Sequence, residues 1–155
     1  MAPASSAPEQ PFVAVLRQRR AQLRDSMSAL ELALAAPAPQ GQTRWAERVH
    51  VALVELAADF REHIAITEGP NGLYRELRAK TPRLSGAIAR LEEEHALIAD
   101  RVGALLASAG APTAGDDVDL LRDRGTALLG RLVRHRQRGA DLVFEAYEVD
   151  IGGET

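Results

Sequence analysis

A chain of 155 residues with 46% apolar residues is long enough for one domain around one core. Aromatic residues make up only 4%, and the many alanines and leucines favour helix over sheet. A net charge of −3, with acids and bases mixed along the chain, argues against nucleic acid as a partner, and the absence of cysteine excludes disulfides, thiolate metal sites and thiol catalysis.

Residues 1–10, MAPASSAPEQ, are rich in Ala, Pro and Ser and read as a disordered tail. The stretch lacks the basic and apolar regions of a signal peptide, and no uncharged run is long enough to span a bilayer. The expected location is therefore the cytoplasm. One helical domain is expected over residues 11–151, with a short tail at 152–155.

The first helix is predicted from Pro11, suited to a first turn, to Ala36. Leu16, Arg20, Leu23, Met27, Leu30 and Leu34 recur at steps of four and three, the period of a bundle seam. Arg20 is the polar member of that face. It either snorkels its head group outward or fills a buried polar role. Pro37, Pro39 and Gly41 make a loop.

The second helix is predicted from Thr43 to Glu68, with Trp45, Val49, Ala52, Leu56, Phe60, His63 and Thr67 on its seam. His50 falls on roughly the opposite side and reads as a surface histidine. Gly69-Pro70-Asn71-Gly72 then breaks the helix, because proline removes a backbone donor and Asn-Gly accepts turn geometry. Residues 73–77 can resume as a helical turn. Such a break beside a polar core position is either a device that makes room or an ordinary helix end.

The third helix is predicted from Thr81-Pro82, as N-cap and first turn, to Ser108. Its seam is Leu84, Ile88, Leu91, His95, Ile98, Val102 and Leu105. Of the three glutamates before His95, two must face largely to solvent, while Glu94 can reach inward as a ligand or as the partner of one. The fourth helix is capped by Asp116 or Asp117 and ends at Gly152-Gly153. Its seam runs Val118, Leu121, Gly125, Leu128, Leu132, His135, Gly139, Leu142, Ala146, Val149. Arg131, Arg134, Arg136 and Arg138 surround His135 on several sides without interleaved aromatics, a weak nucleic-acid signal. Four helices with short connections predict an all-α, antiparallel up-down-up-down four-helix bundle.

His63 lies fourteen residues before Leu77 and His95 thirteen after Pro82, so an antiparallel pair joined there sets them opposite each other. His135 and Arg20 fall at that level to within about a turn, roughly 5 Å. One histidine on an apolar face is usually a satisfied core residue. Three on three seams make a constellation suited to Zn²⁺ or non-haem iron.

From about Phe12 to Tyr147 the pattern resembles the hemerythrin-like (HHE cation-binding) family. The resemblance implies a histidine on the first helix, His-x-x-x-Glu on the second and fourth, and a histidine often preceded by acids on the third. His63, His95 in LEEEHALI and His135 match. Arg20, in LRQRRAQLR, stands where the first histidine belongs, and Thr67 and Gly139 stand in place of the two carboxylates. Without bridging carboxylates a pair of ferric ions in a dry core repel each other. The resemblance with these departures implies one non-haem iron or zinc on His63, His95, His135 and Glu68, with a position open for water or substrate. Asp141 is the other displaced acid.

Three alternatives stand beside this reading. Arg20 and Glu68 can serve as anion clamp and base in a metalloenzyme acting on a small anion, with a cavity near Gly69 and Gly139. The bundle can be a metal-free interaction or regulatory module, its imidazoles bonded to Arg20, Thr67 or acids. Haem on an axial histidine beside Gly139 is the third. The expected partner is a small molecule or anion rather than nucleic acid or membrane, and a homo-oligomer stays open.

Overall fold

The computed structural model describes residues 11–38, 42–110 and 118–149. The tails, Pro39, Gly41, the Asp116/Asp117 cap and the Gly152-Gly153 stop lie outside the described residues. Within them the chain is all-helical: α1 (Pro11–Ala35), α2 (Gln42–Glu68), α3 (Leu73–Lys80), α4 (Ser85–Gly110) and α5 (Val118–Phe144). A tight turn at Pro82–Leu84 leads into α4, and a widened helical turn at Glu145–Val149 follows α5.

The four long helices form a four-helix bundle. Helix α1 packs on α2 and α5, α2 on α4, and α4 on α5, which closes a ring. Arg19 meets Glu62 and Ser26 meets Asp59 across α1 and α2. Arg83, just before α4, meets Glu145, just after α5, and Glu94 of α4 meets His135 of α5. In both pairs residue numbers rise along one helix as they fall along its neighbour.

The seams are buried nearly as the apolar period requires. Leu23, Met27, Leu30 and Leu34 of α1 are at most 6% exposed, and every expected seam residue of α2 is buried. Burial of one such leucine stabilises the fold by about 1.5–3 kcal/mol. Two apolar clusters result. The larger contains Leu23, Leu30, Leu56, Phe60, Ile98 and Leu132. The smaller gathers Leu73, Tyr74 and Leu77 of α3 with Ile88, Leu91 and Leu142.

Local chemistry sets the ends. At Gly72 a Cβ would stand 2.6 Å from the Thr67 carbonyl oxygen, so only glycine lets the chain turn back so tightly after α2. The piece beyond is a full eight-residue helix rather than a single turn. Contrary to the expectation from sequence, the Thr81 side chain makes no capping bond; its N–H donates to the Leu77 carbonyl, and α4 begins only after the Pro82 turn. At the other end of the bundle, Arg122 donates to the Leu34 and Ala36 carbonyls at 2.9 and 2.8 Å, which satisfies acceptors left open where α1 stops. Beside it Gly125 lets α1 approach closely, since a Cβ there would lie 2.5 Å from Leu34 Cδ1. No helix among the described residues is long and apolar enough to cross a membrane.

Candidate metal centre

Three seams deliver one imidazole each to the layer where the two apolar clusters meet. His63, His95 and His135 are 9%, 1% and 2% exposed. Their ring centroids are 5.0, 5.4 and 4.6 Å apart, and one nitrogen from each lies within 4.8 Å of the other two. Phe60, one turn before His63, touches all three rings at 5.7, 5.7 and 6.2 Å and forms an apolar floor. Tyr74 stacks on His95 from the other side at 5.8 Å.

The carboxylates decide which nitrogens are available. Glu68 Oε2 lies 2.9 Å from His95 Nδ1, and Glu94 Oε1 lies 3.0 Å from His135 Nδ1. A carboxylate accepts, so each Nδ1 carries the hydrogen and each Nε2 presents a lone pair. His95 Nε2 is buried with no partner, as is His63 Nδ1. His63 Nε2 and His135 Nε2 are 3.3 Å apart. An acid that orients the far nitrogen of a histidine and raises its basicity is the usual support behind a metal-binding imidazole.

Burial acts on every group here. It lowers His63 to about 3, helped by His135, Arg20 and Arg136. It lowers His95 to about 2, helped by the other two imidazoles. His135 is also lowered by burial, with Glu94 pulling the other way. Burial and the neighbouring Glu92 push the Glu68 carboxyl up. All three histidines are thus neutral near pH 7, the state that binds a cation.

The donor set fits a single ion. Two nitrogens bound to zinc at about 2.0–2.1 Å in a tetrahedron lie about 3.3 Å apart. The His63–His135 separation of 3.3 Å matches one such edge, and one nitrogen of His95 lies within 4.8 Å of both. Three imidazoles leave a fourth position for a small molecule.

The expected site residues fall into place unequally. His63, His95 and His135 come together. Glu68, expected as the fourth ligand, stands on the Nδ1 side of His95 and is not among the converging nitrogens. The break after Gly69 leaves it at the last turn of α2, where it reaches α4 rather than the centre. Glu94 takes the partner role that its place beside the seam allowed, and it also binds Arg138. Glu92 pairs with Arg78, and Glu93 faces solvent. Thr67 turns its hydroxyl back onto the His63 carbonyl at 2.8 Å. Neither acid suggested for Arg20 takes it, since Glu68 binds His95 and Asp141 accepts from Gln137.

A cavity of about 30 Å³, room for one or two waters, adjoins His63 and His135 and is bounded by Arg20, Arg136, Thr67 and Gly139. Gly139 borders it as expected, but Gly69 does not, and the space is far too small for haem. His50 is half-buried near Gly110, remote from the trio.

No family model, curated protein or solved structure matches the chain.

The geometry of the site alone therefore bears on function. Sequence reading missed Tyr74 and did not separate Arg136 from its neighbours. The available signals were an aromatic in a chain with few of them, just after the break, and an arginine one residue beyond the seam histidine.

Proposed function

We propose that this chain is a hemerythrin-like metal-binding protein of reduced form, holding one zinc or non-haem iron ion on His63, His95 and His135. The supporting observation is the convergence of three buried, neutral imidazoles, two of them braced by carboxylates on their far nitrogens. The partnerless His95 Nε2, buried between Phe60 and Tyr74, is costly to leave unbonded, and a cation satisfies it.

A bound ion supplies Lewis acidity or, as iron, a redox couple, with a coordination position left for a small molecule. The chain's own residues do the rest. Glu68 and Glu94 hold the rings in one tautomer and offset the charge of the ion. Phe60 and Tyr74 keep the layer dry and fix the ring planes. The cavity beside His63 and His135 gives a small molecule its approach. These features suit a sensing, redox or small-molecule-binding role.

The test is elemental analysis of tag-free protein beside the His63→Ala/His95→Ala double variant. About one zinc or iron per chain, lost in the variant, is the expected result. Two irons per chain would mean that other acids rebuild a paired centre. No metal, even after anaerobic reloading with iron, would refute the proposal and leave a bundle with a polar layer whose role lies in its partners.

A further inference from the structure

The cavity beside His63 and His135 has a chemical asymmetry. Its lining is mostly apolar, and the charged residues that border it are both cationic: Arg20 of α1 and Arg136 of α5. Both acids of the centre, Glu68 and Glu94, are engaged on the Nδ1 sides of His95 and His135. Among the described residues no acidic side chain pairs with Arg20 or Arg136. Scarcity of acids is not the reason, because the chain holds 22 acidic residues against 19 basic ones. Other arginines of the same region find partners: Arg138 binds Glu94, Arg78 binds Glu92 and Arg19 meets Glu62.

Two partly buried guanidiniums bordering one cavity without a counter-ion repel each other. A divalent ion on the nearby imidazoles would deepen the imbalance. An anion between the arginines removes it, and guanidinium forks match the two oxygens of a carboxylate-like group. The space limits the anion to a few heavy atoms. Gly139 keeps the wall open, since a Cβ there would meet nothing within 4 Å.

We propose that this cavity binds a small oxyanion of the size of formate or nitrite, clamped by Arg20 and Arg136 and anchored at its other end by the ion on the three imidazoles. The second anchor rests on the metal reading above; the first rests on the arginines alone.

The two are separated by titrating zinc first and formate second. Zinc uptake is measured by competition with a chromophoric chelator. Formate binding is then measured calorimetrically on the full chain, with and without zinc, at constant ionic strength set by a bulky sulfonate. Saturable formate binding to the zinc-loaded protein is expected, weakened about ten- to hundredfold in Arg20→Gln/Arg136→Gln. Zinc stoichiometry should be unchanged in that variant. Both side chains are partly exposed, and their removal relieves repulsion, so the variant should melt at or above the wild-type temperature without formate. Gly139→Leu, which fills the cavity, should also lose formate while keeping zinc.

One zinc per chain with no saturable formate binding, or equal binding by the double variant, overturns the oxyanion site and leaves the metal reading intact. Failure to take up zinc overturns the metal reading instead. Formate binding to the zinc-free chain then decides the arginine clamp: loss in the double variant sustains it, and no binding refutes it.

Discussion

Replacing His95 by leucine sets binding against stability. The ring is 1% exposed, and its Nε2 has no partner. A buried nitrogen left unpaired costs about 1–3 kcal/mol. Leucine has similar bulk, so little cavity or overpacking is expected between Phe60 and Tyr74. The substitution also removes the bond to Glu68, but that side chain is 28% exposed and can return to water, at a loss of about 1–2 kcal/mol. The metal-free variant should therefore lie between about 1 kcal/mol less and about 2 kcal/mol more stable than the parent, a change in Tm between about −3 and +6 °C at this chain length. Zinc should place the parent above the variant. At a hundred times its Kd, zinc stabilises the parent by about 2.7 kcal/mol, about 8 °C, and should do nothing for the variant. Differential scanning calorimetry with and without zinc, in chelator-treated buffer, checks both limbs. A zinc-insensitive parent, or a variant with the full zinc shift, would refute the three-imidazole site. A variant several kcal/mol less stable without metal would show that His95 is satisfied in the core and needs no cation.

Other expectations follow from the same geometry. The metal-free chain should lose stability as pH falls below the ordinary histidine value of 6.5. The unfolded chain takes up protons there, while His63 and His95 stay neutral down to about 3 and 2. With the folded values depressed, the loss runs from about pH 6.5 downward and amounts to roughly 4 kcal/mol between pH 7 and pH 5 for the two together. Urea unfolding across that range, above most carboxylate titration, measures it, and a flat profile contradicts the burial of neutral imidazoles. Glu68→Gln and Glu94→Gln should each weaken zinc binding about 10–100-fold without changing the stoichiometry, read by chelator competition. Loss of the ion altogether in Glu68→Gln would instead make Glu68 a ligand. Gly72→Ala should destabilise the fold by about 1–3 kcal/mol by denaturant titration, because the added Cβ meets the Thr67 backbone at 2.6–2.8 Å, which cannot move aside like a side-chain tip.

Much of this molecule is written in periodicity. Steps of three and four place Leu23 to Leu34, Trp45 to Thr67 and Leu84 to Leu105 on buried faces because a helix returns to the same side every 3.6 residues, whatever it packs against. The same arithmetic put His63, His95 and His135 on three seams at one level. Their convergence was legible because His63 and His95 lie at similar chain distances from the turn between α3 and α4, which sets their level in the bundle. Glycine and proline marked the break after α2 for an equally local reason.

What lies between helices was not legible. Its place five residues after His63 makes Glu68 a candidate ligand in sequence. Which nitrogen of which ring a carboxylate reaches depends on the neighbouring helix, and Glu68 found the far side of His95. Gly125 is one seam position among others in sequence, and only the packed bundle sets Leu34 of α1 against it. Arg20 and Arg136 are 116 residues apart, and nothing local to either predicts that they share one cavity wall or that the nearby acids are engaged elsewhere. Periodicity determines which face of each helix is buried. Charge pairing, side-chain reach and leftover space are properties of the interfaces, and only the packed bundle decides them.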